Sequence, residues 1–595
     1  MKLRTLSSVM ASCCLASAVA QAQVASDPKM PHLEKRGTVT QLVVDGKPFM
    51  MLSGELRNSS ASSKAYMEPF WPQLAQRNLN TVLAVITWEL IEPTEGHFDF
   101  TTVDDTILGA RKNGLHLVIL WFGSWKNGES SYQPYWVKAD PQRYPWVKDR
   151  TGKTLNIIST FGDATRDGDA KAYGALMRHI KEVDGKDHTV LMMQVENEVG
   201  VLGDSRDHCA AANDAFAKPV PQDLMDYLVK HKDTMAPELS AVWAANGNKT
   251  SGTWEQVFGP GKPDNVPTIP PIPAAERDTA WHKSYWLVDE AFMAWRYSAY
   301  VNKVAAAGKA EYPIPMYCNT WLQEPQNPTP GQFPSGCPEP EVHDIWRFGA
   351  PNLDFLAPDL YVTTFAETCE RFMRNGNPLF IPETSANPSN ALLAFLKYGT
   401  MGYSPFGIEG GGGGGRGGAA GPDALAQTYA ILDYMSPVIL ANQGKGTIVM
   451  LQPDTNTAPQ TVKLGDYTLD IKNGAGGVVG GPGGGGGAAR GGAGGGGGGR
   501  GGAAGGGAAN ASPARFVINA GPGDYWFVGG PMGVTFTPNT PEKGSVVMGS
   551  FDETTNVNGR WVAGRRLNGD ETHNNANWPG MGQFGIYHYT VFQRP

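Results

Sequence analysis

Two stretches place acids where a purely structural role is hard to find. In VENEVG (195–200) the apolar run Leu191-Met192-Met193 leads straight into Glu196, Asn197 and Glu198, and PLFIPE (378–383) ends its apolar run on Glu383. A buried carboxylate is costly unless it is paired or working. Two carboxyl groups facing each other can hydrolyse a glycoside: one protonates the leaving oxygen, and the other acts as nucleophile or as base for water. Asn197 could hydrogen-bond a ring hydroxyl, and Tyr361 could orient the nucleophile.

Such residues need elements to carry them. Eight short apolar runs fall at 49–55, 80–89, 115–124, 189–198, 313–321, 354–361, 379–383 and 400–409. Amphipathic stretches lie between them at 66–79, 102–114, 170–183 and 389–399. This alternation predicts a parallel sheet closed as a (β/α)8 TIM barrel, with its site at the carboxyl ends of the strands. Read there, the strand ends offer Glu55, Trp88, Trp125 with Asn127 beyond, Asn197 and Glu198, Trp321, Tyr361, Glu383 and Glu409. Acids interleaved with aromatics make a cup suited to a sugar. Segment 199–312 exceeds one crossover and predicts an insertion over the barrel mouth, plus a helix near 286–308. A helix at 423–441 is expected to close the barrel. From 444 to 595 short alternating runs predict an antiparallel β-sandwich.

The remaining features bound the function. The net charge of −8 disfavours nucleic acid as a partner. No run after the N-terminus has the length of a membrane span. Residues 1–22 read as a signal peptide: Lys2 and Arg4 precede an apolar stretch that ends at Ala20-Gln21-Ala22. The expected location is therefore periplasmic or secreted, with lipidation at Cys13 as the minor alternative. Cys209, Cys318, Cys337 and Cys369 match no zinc spacing and read as free or structural. No His-rich group sits on the strand ends, so neither metal nor cofactor is expected. Glycine-rich tracts at 410–422 and 474–511 account for much of the chain's 75 Gly. Their composition predicts flexible loops, one in the barrel domain (23–443) and one inside the sandwich domain (444–595). Their G-x-G-x-x-G matches lack a strand–turn–helix context and do not signal a nucleotide site.

Several motifs resemble a known family. QVENEVG, LSGEL (52–56) and WELIEPTEGHFDF (88–100) are similar to glycoside hydrolase family 35, the β-galactosidases, over most of 36–410. GRWVAGRRLNGDET (559–572) resembles the β-domain of one bacterial subgroup. The resemblance implies Glu198 as acid/base, Glu383 as nucleophile and Asn197 as substrate ligand. Alone, it implies an exported, retaining exo-β-galactosidase acting on a β-galactoside. Two departures touch sugar contacts. Typical members carry Cys-Ala-Glu-Trp after strand 3, where this chain has Phe122-Gly123-Ser124-Trp125, and Trp88-Glu89 replaces Trp-Asn. They keep open a different β-glycoside and, from another class, a non-catalytic carbohydrate-binding barrel. Glu196 reads as support beneath the site and Asp359 as structural. Glu55 and Glu409 stand between ligand and ion-pair roles, and any one of Trp88, Trp125 and Trp321 more readily fills core than stacks on a sugar. Deleting 476–508 is expected to leave hydrolysis of a nitrophenyl β-glycoside largely unchanged, because long surface loops are tolerated; a large loss of folded protein would contradict this.

Overall fold

The computed structural model describes residues 27–260, 288–324, 326–410, 422–452, 458–473, 515–530, 532–567 and 584–595. The expected signal segment and the bulk of both glycine tracts lie outside them. Eight strands close a parallel barrel in sequence order. They are β1 (Met51–Glu55), β2 (Thr81–Thr87), β3 (His116–Phe122), β4 (Val190–Val195), β5 (Met316–Trp321), β6 (Phe355–Leu360), β7 (Ile381–Thr384) and β8 (Gly402–Pro405). Each coincides with one of the eight apolar runs, β7 reaching one residue beyond its own. Nearly every strand residue is buried, because side chains point alternately at the barrel interior and at the outer helices. That two-sided burial is why the runs are continuous rather than alternating.

The barrel interior is filled by Leu83, Val85, Val118, Leu120, Tyr317 and Phe380 among others. Leu42 and Val44 belong to the same cluster. They come from a three-stranded antiparallel sheet (His32–Arg36, Val39–Val44, Lys47–Phe49) that plugs the floor of the barrel. The sequence reading did not separate this sheet from the first barrel run.

The long segment between β4 and β5 holds the expected helix, Val288–Glu311, and four shorter ones at Ala210–Phe216, Gln222–Lys230, Pro237–Ala245 and Trp254–Phe258. The expectation that this insertion covers the mouth is corrected for the described helices. Ala236 donates its N–H to Asp344 at 2.7 Å and Glu238 pairs with Arg371 at 2.9 Å. Those contacts hold the insertion against the outer helices His343–Gly349 and Phe365–Phe372.

The helix Pro422–Asn442 crosses the seam where β8 meets β1. The Tyr429 hydroxyl lies 2.8 Å from the Ser53 carbonyl and 2.7 Å from that of Tyr403, sharing its proton between the two strands. Beyond it, a six-stranded and a three-stranded antiparallel sheet face each other over Leu469, Val534 and Phe536 on one side and Val517, Phe527 and Tyr589 on the other. This is the expected sandwich, with a strand at Ser545–Val557 whose mostly half-exposed faces carry no apolar alternation. Arg565 and Arg566 pair with Glu553 and Asp552 across that hairpin; Asp570 lies outside the described residues. Cys209, Cys318, Cys337 and Cys369 are all free thiols. Tyr429→Phe leaves two seam carbonyls short of a donor and is expected to cost about 1–3 kcal/mol, read as a lower thermal unfolding midpoint with the site chemistry unchanged.

Candidate active site

Strand β4 stops at Val195 because Glu196 and Glu198 adopt left-handed backbone, with φ of 63° and 44°. Non-glycine residues there are uncommon and tend to mark functional sites. The turn also separates the two acids, which strand periodicity would have placed on one face. Glu196 drops beneath the strand ends, where Oε2 accepts the N–H groups of Ser124 and Trp125, both at 2.9 Å. Its other oxygen lies on the side of Asp169, which accepts from the Trp121 indole at 2.9 Å and the Ser124 hydroxyl at 2.6 Å. Burial raises both acids, and the Asp169 charge raises Glu196 further. Both shifts favour the protonated forms of the pair. Glu196 supports the site from below, as expected.

Glu198 enters the cup. Its carboxylate, that of Glu383 on β7 and that of Asp359 on β6 each offer an oxygen within 4.8 Å of the others. The Glu198 backbone N–H donates to Asn319 Oδ1 at 3.0 Å, and Asn319 Nδ2 donates to Asp359 at 2.6 Å. Asp359 is thus at the centre of the site, correcting its structural reading. Tyr361 donates its hydroxyl to Glu383 Oε1 at 2.8 Å. Lys126, which the sequence reading passed over, reaches in from the loop after β3. Its Nζ lies 3.7 Å from Glu198 Oε2 and 3.9 Å from Glu383 Oε2, above the Phe122 ring. A Lys two residues beyond a strand-3 end that already carries Trp125 was the one available signal.

The electrostatics follow from crowding. Burial pushes Asp359 and Glu55 well above the usual carboxylate range, and the charge of Glu383 pushes both further. Burial also raises Glu198, against the pull of Lys126. Burial alone would lower the Lys126 ammonium, but the surrounding carboxylates more than reverse this, led by Glu198 and Glu383. These shifts favour the neutral forms of Asp359 and Glu55 and the cationic form of Lys126. Three carboxylates at this spacing would suit a metal ion, but the Lys126 ammonium already supplies the positive charge there.

The remaining candidates divide. Asn197 is fully buried, and its amide makes no hydrogen bond to a described group. Glu55 lies in the same cup with Oε1 unpartnered. Trp321, part-exposed at the end of β5 and in register with Asp359, can wall the cup. Trp88 and Trp125 cannot stack on a sugar. Both are sealed in the core, with indole N–H groups held by Glu92 at 2.9 Å and the Ile158 carbonyl at 3.1 Å, and Trp125 packs edge-on against Tyr297 and Tyr300. Asn127 is an exposed turn residue with φ of 55°. Glu409 has one oxygen holding the Arg57 N–H at 3.0 Å and the Ser60 hydroxyl at 2.6 Å, so it fixes the loop after β1. A separate cavity of about 300 Å³ opens at the other end of β6, lined by Trp346, Asp354, Phe355 and Asn377, away from these acids.

A closed (β/α)8 barrel that gathers two glutamates from β4 and β7 over a polar cup defines the class: a barrel with a paired-carboxylate site. Residues 64–390 match the model of glycoside hydrolase family 42, described as beta-galactosidase, and the chain belongs to that family. Residues 425–579 match a domain of unknown function (DUF5597). A beta-galactosidase of Xanthomonas manihotis is 30% identical over 210 residues, 34% of this chain and 32% of that protein. Beta-galactosidase 11 of Arabidopsis thaliana is 28% identical over 111 residues, 17% of this chain and 12% of that protein. The chain thus matches a third or less of the length of these relatives. The beta-galactosidase of Rahnella sp. R3 superposes with a TM-score of 0.40 at 17% identity, covering 65% of this chain and 56% of that one. The matching model is that of family 42; family 35 rests on the motifs alone.

Glu196→Gln keeps an oxygen for the two backbone N–H groups and offers an amide donor to Asp169. It is expected to fold and retain activity, whereas Glu196→Ala should lose about 1–3 kcal/mol for each of the two buried N–H groups it leaves without an acceptor. Folding takes up a proton at this pair, because both acids are raised. Stability from it is therefore full below the ordinary carboxylate range and falls as pH rises through the raised value. Thermal melts against pH should decline less for Glu196→Gln than for the wild type.

Proposed function

We propose that this protein is an exported β-galactosidase that hydrolyses terminal β-D-galactosides with retention, using Glu198 as acid/base and Glu383 as nucleophile. The observation that carries this reading is the approach of the two carboxylates, with oxygens within 4.8 Å. Retention through a covalent intermediate needs carboxyl groups ~5–5.5 Å apart, and inversion needs ~6.5–9.5 Å to admit a water. The roles follow from the surroundings. Glu198 is raised by burial and by the nearby Glu383 charge, which suits a general acid. Glu383 accepts the Tyr361 hydroxyl, which steadies a carboxylate aimed at the anomeric carbon. Glu383 then displaces the aglycone while Glu198 protonates the departing oxygen. Water, deprotonated by Glu198, releases the sugar in the second displacement. Asn197, with its amide uncommitted, is the natural partner for a ring hydroxyl, a contact that strengthens in the transition state.

The galactose specificity draws on the family match and the Xanthomonas manihotis beta-galactosidase. Exo action draws on the motif resemblance, and export on the N-terminal pattern. One observation favours a second reading, the same mechanism on another β-glycoside. After β3 the position expected to carry a sugar-binding carboxylate is Ser124, whose hydroxyl is committed to Asp169.

Nitrophenyl β-D-galactoside should be turned over by the wild type, and Glu383→Ala should lose roughly a thousandfold or more in kcat. Azide should restore turnover in that variant and give the α-glycosyl azide, whereas Glu198→Ala with azide should give the β-product. Unimpaired Glu383→Ala would sink the assignment. A β-fucoside or β-glucoside turned over far better than the galactoside would shift it to the second reading.

A further inference from the structure

Lys126 is one ammonium placed almost equally between two carboxylates, 3.7 Å from Glu198 and 3.9 Å from Glu383; it is buried with Glu198, and Glu383 is partly exposed toward the cup. Structural stability alone gives little reason for this arrangement, since two buried acids beside one base would be replaced at lower cost by apolar side chains. The near-equal spacing has a chemical consequence if the site works by the double displacement proposed above, on which this inference rests. We infer that Lys126 is a positioning residue: the shared counter-ion that passes from Glu383 to Glu198 during the reaction cycle without having to move.

The charge balance is the same at each stage. In the free enzyme Glu383 is ionised, Glu198 holds a proton, and Lys126 neutralises Glu383. In the first displacement a Glu383 oxygen bonds the anomeric carbon, the bond to the aglycone breaks, and the Glu198 proton goes to the leaving oxygen. Glu383 is now a neutral ester and Glu198 a carboxylate, and the same ammonium lies beside it. In the second displacement Glu198 takes a proton from water, the water oxygen bonds the anomeric carbon, and the ester electron pair returns to Glu383. At no stage is a carboxylate left buried without a counter-charge, a state that would be expensive in a site shielded from solvent. Around Lys126 stand Glu55 from β1, Glu198 after β4, Asp359 from β6 and Glu383 from β7, with the Phe122 ring beneath and Tyr132 nearby. The Lys126 ammonium makes its ion pairs with Glu198 and Glu383, so these are the two that alternate, while burial and the Glu383 charge push Glu55 and Asp359 toward the neutral form.

The test separates the second displacement from the first. The full-length protein is treated with 2,4-dinitrophenyl 2-deoxy-2-fluoro-β-D-galactoside, or the glucoside or fucoside if those are the better substrates. Its leaving group needs no acid, so a trapped glycosyl-Glu383 is read by mass in wild type, Lys126→Met and Lys126→Arg. Reactivation is then timed on the trapped fraction alone, so any misfolded protein drops out of the measurement. Lys126→Met is expected to trap and then to reactivate in water about ten- to a hundredfold more slowly, with Lys126→Arg in between. Azide, which needs no base, should bring Lys126→Met close to the wild-type rate. The rise of its water reaction with pH should move to higher pH, since Glu198 loses the cation that favours its ionised form. If the wild type forms no adduct with any of the three sugars, the double displacement fails and the inference falls with it. If the wild type traps but Lys126→Met reactivates equally fast, or slows without azide rescue, the inference alone is overturned.

Discussion

The crowding of four carboxyl groups around one buried ammonium is the constraint on which the rest of the site depends. Glu55, Glu198, Asp359 and Glu383 come from separate strand ends and meet where little water can screen them. Such a cluster holds together only if some members stay protonated and the remaining charge is matched. Burial pushes Glu55 and Asp359 toward the neutral form, Asn319 and Tyr361 hold two of the carboxyls by hydrogen bonds, and Lys126 matches the charge that is left. Each of these is also what a two-carboxylate reaction requires, so stability and chemistry make the same demands here.

The support beneath the cup solves the same problem differently. Glu196 and Asp169 are two more buried acids close together, but no cation lies between them. Protonation, two backbone N–H groups, an indole and a hydroxyl satisfy the pair. In doing so the pair ties the backbone after β3 to the turn after β4. Lys126 and Glu198 are therefore presented from two loops locked to each other, and the left-handed backbone at 196 and 198 is held by contacts on both sides. Precise presentation of reacting groups is worth far more than the local strain costs.

Much of this was legible in the chain. Eight apolar runs gave eight strands, because burial on both faces of a barrel strand leaves an unbroken apolar signature. Glu198, Glu383 and Tyr361 sit together because strand ends in such a barrel share one rim. The floor sheet at 32–49 was hidden because its second and third strands run directly into β1 with only short turns between. The strand at 545–557 was hidden because its half-exposed faces carry no period. Trp88 and Trp125 misled because an indole at a strand end has the same letter whether it faces the cup or the helices.

By itself the sequence determined the barrel, the strands that carry the acids and the identity of the catalytic candidates, since these rest on periodicity and on residue type along one strand. The tertiary structure decided which acid does what. The fate of Glu196 depends on a left-handed turn and on N–H groups from another loop, and that of Asp359 on Asn319, Glu383 and Glu198, which other strands bring to it. The place of Lys126 depends on Glu198 after the neighbouring strand β4 and on Glu383 from β7 across the barrel. Charge interactions between distant segments leave no local pattern, because the energy lies in distances that only the closed barrel sets.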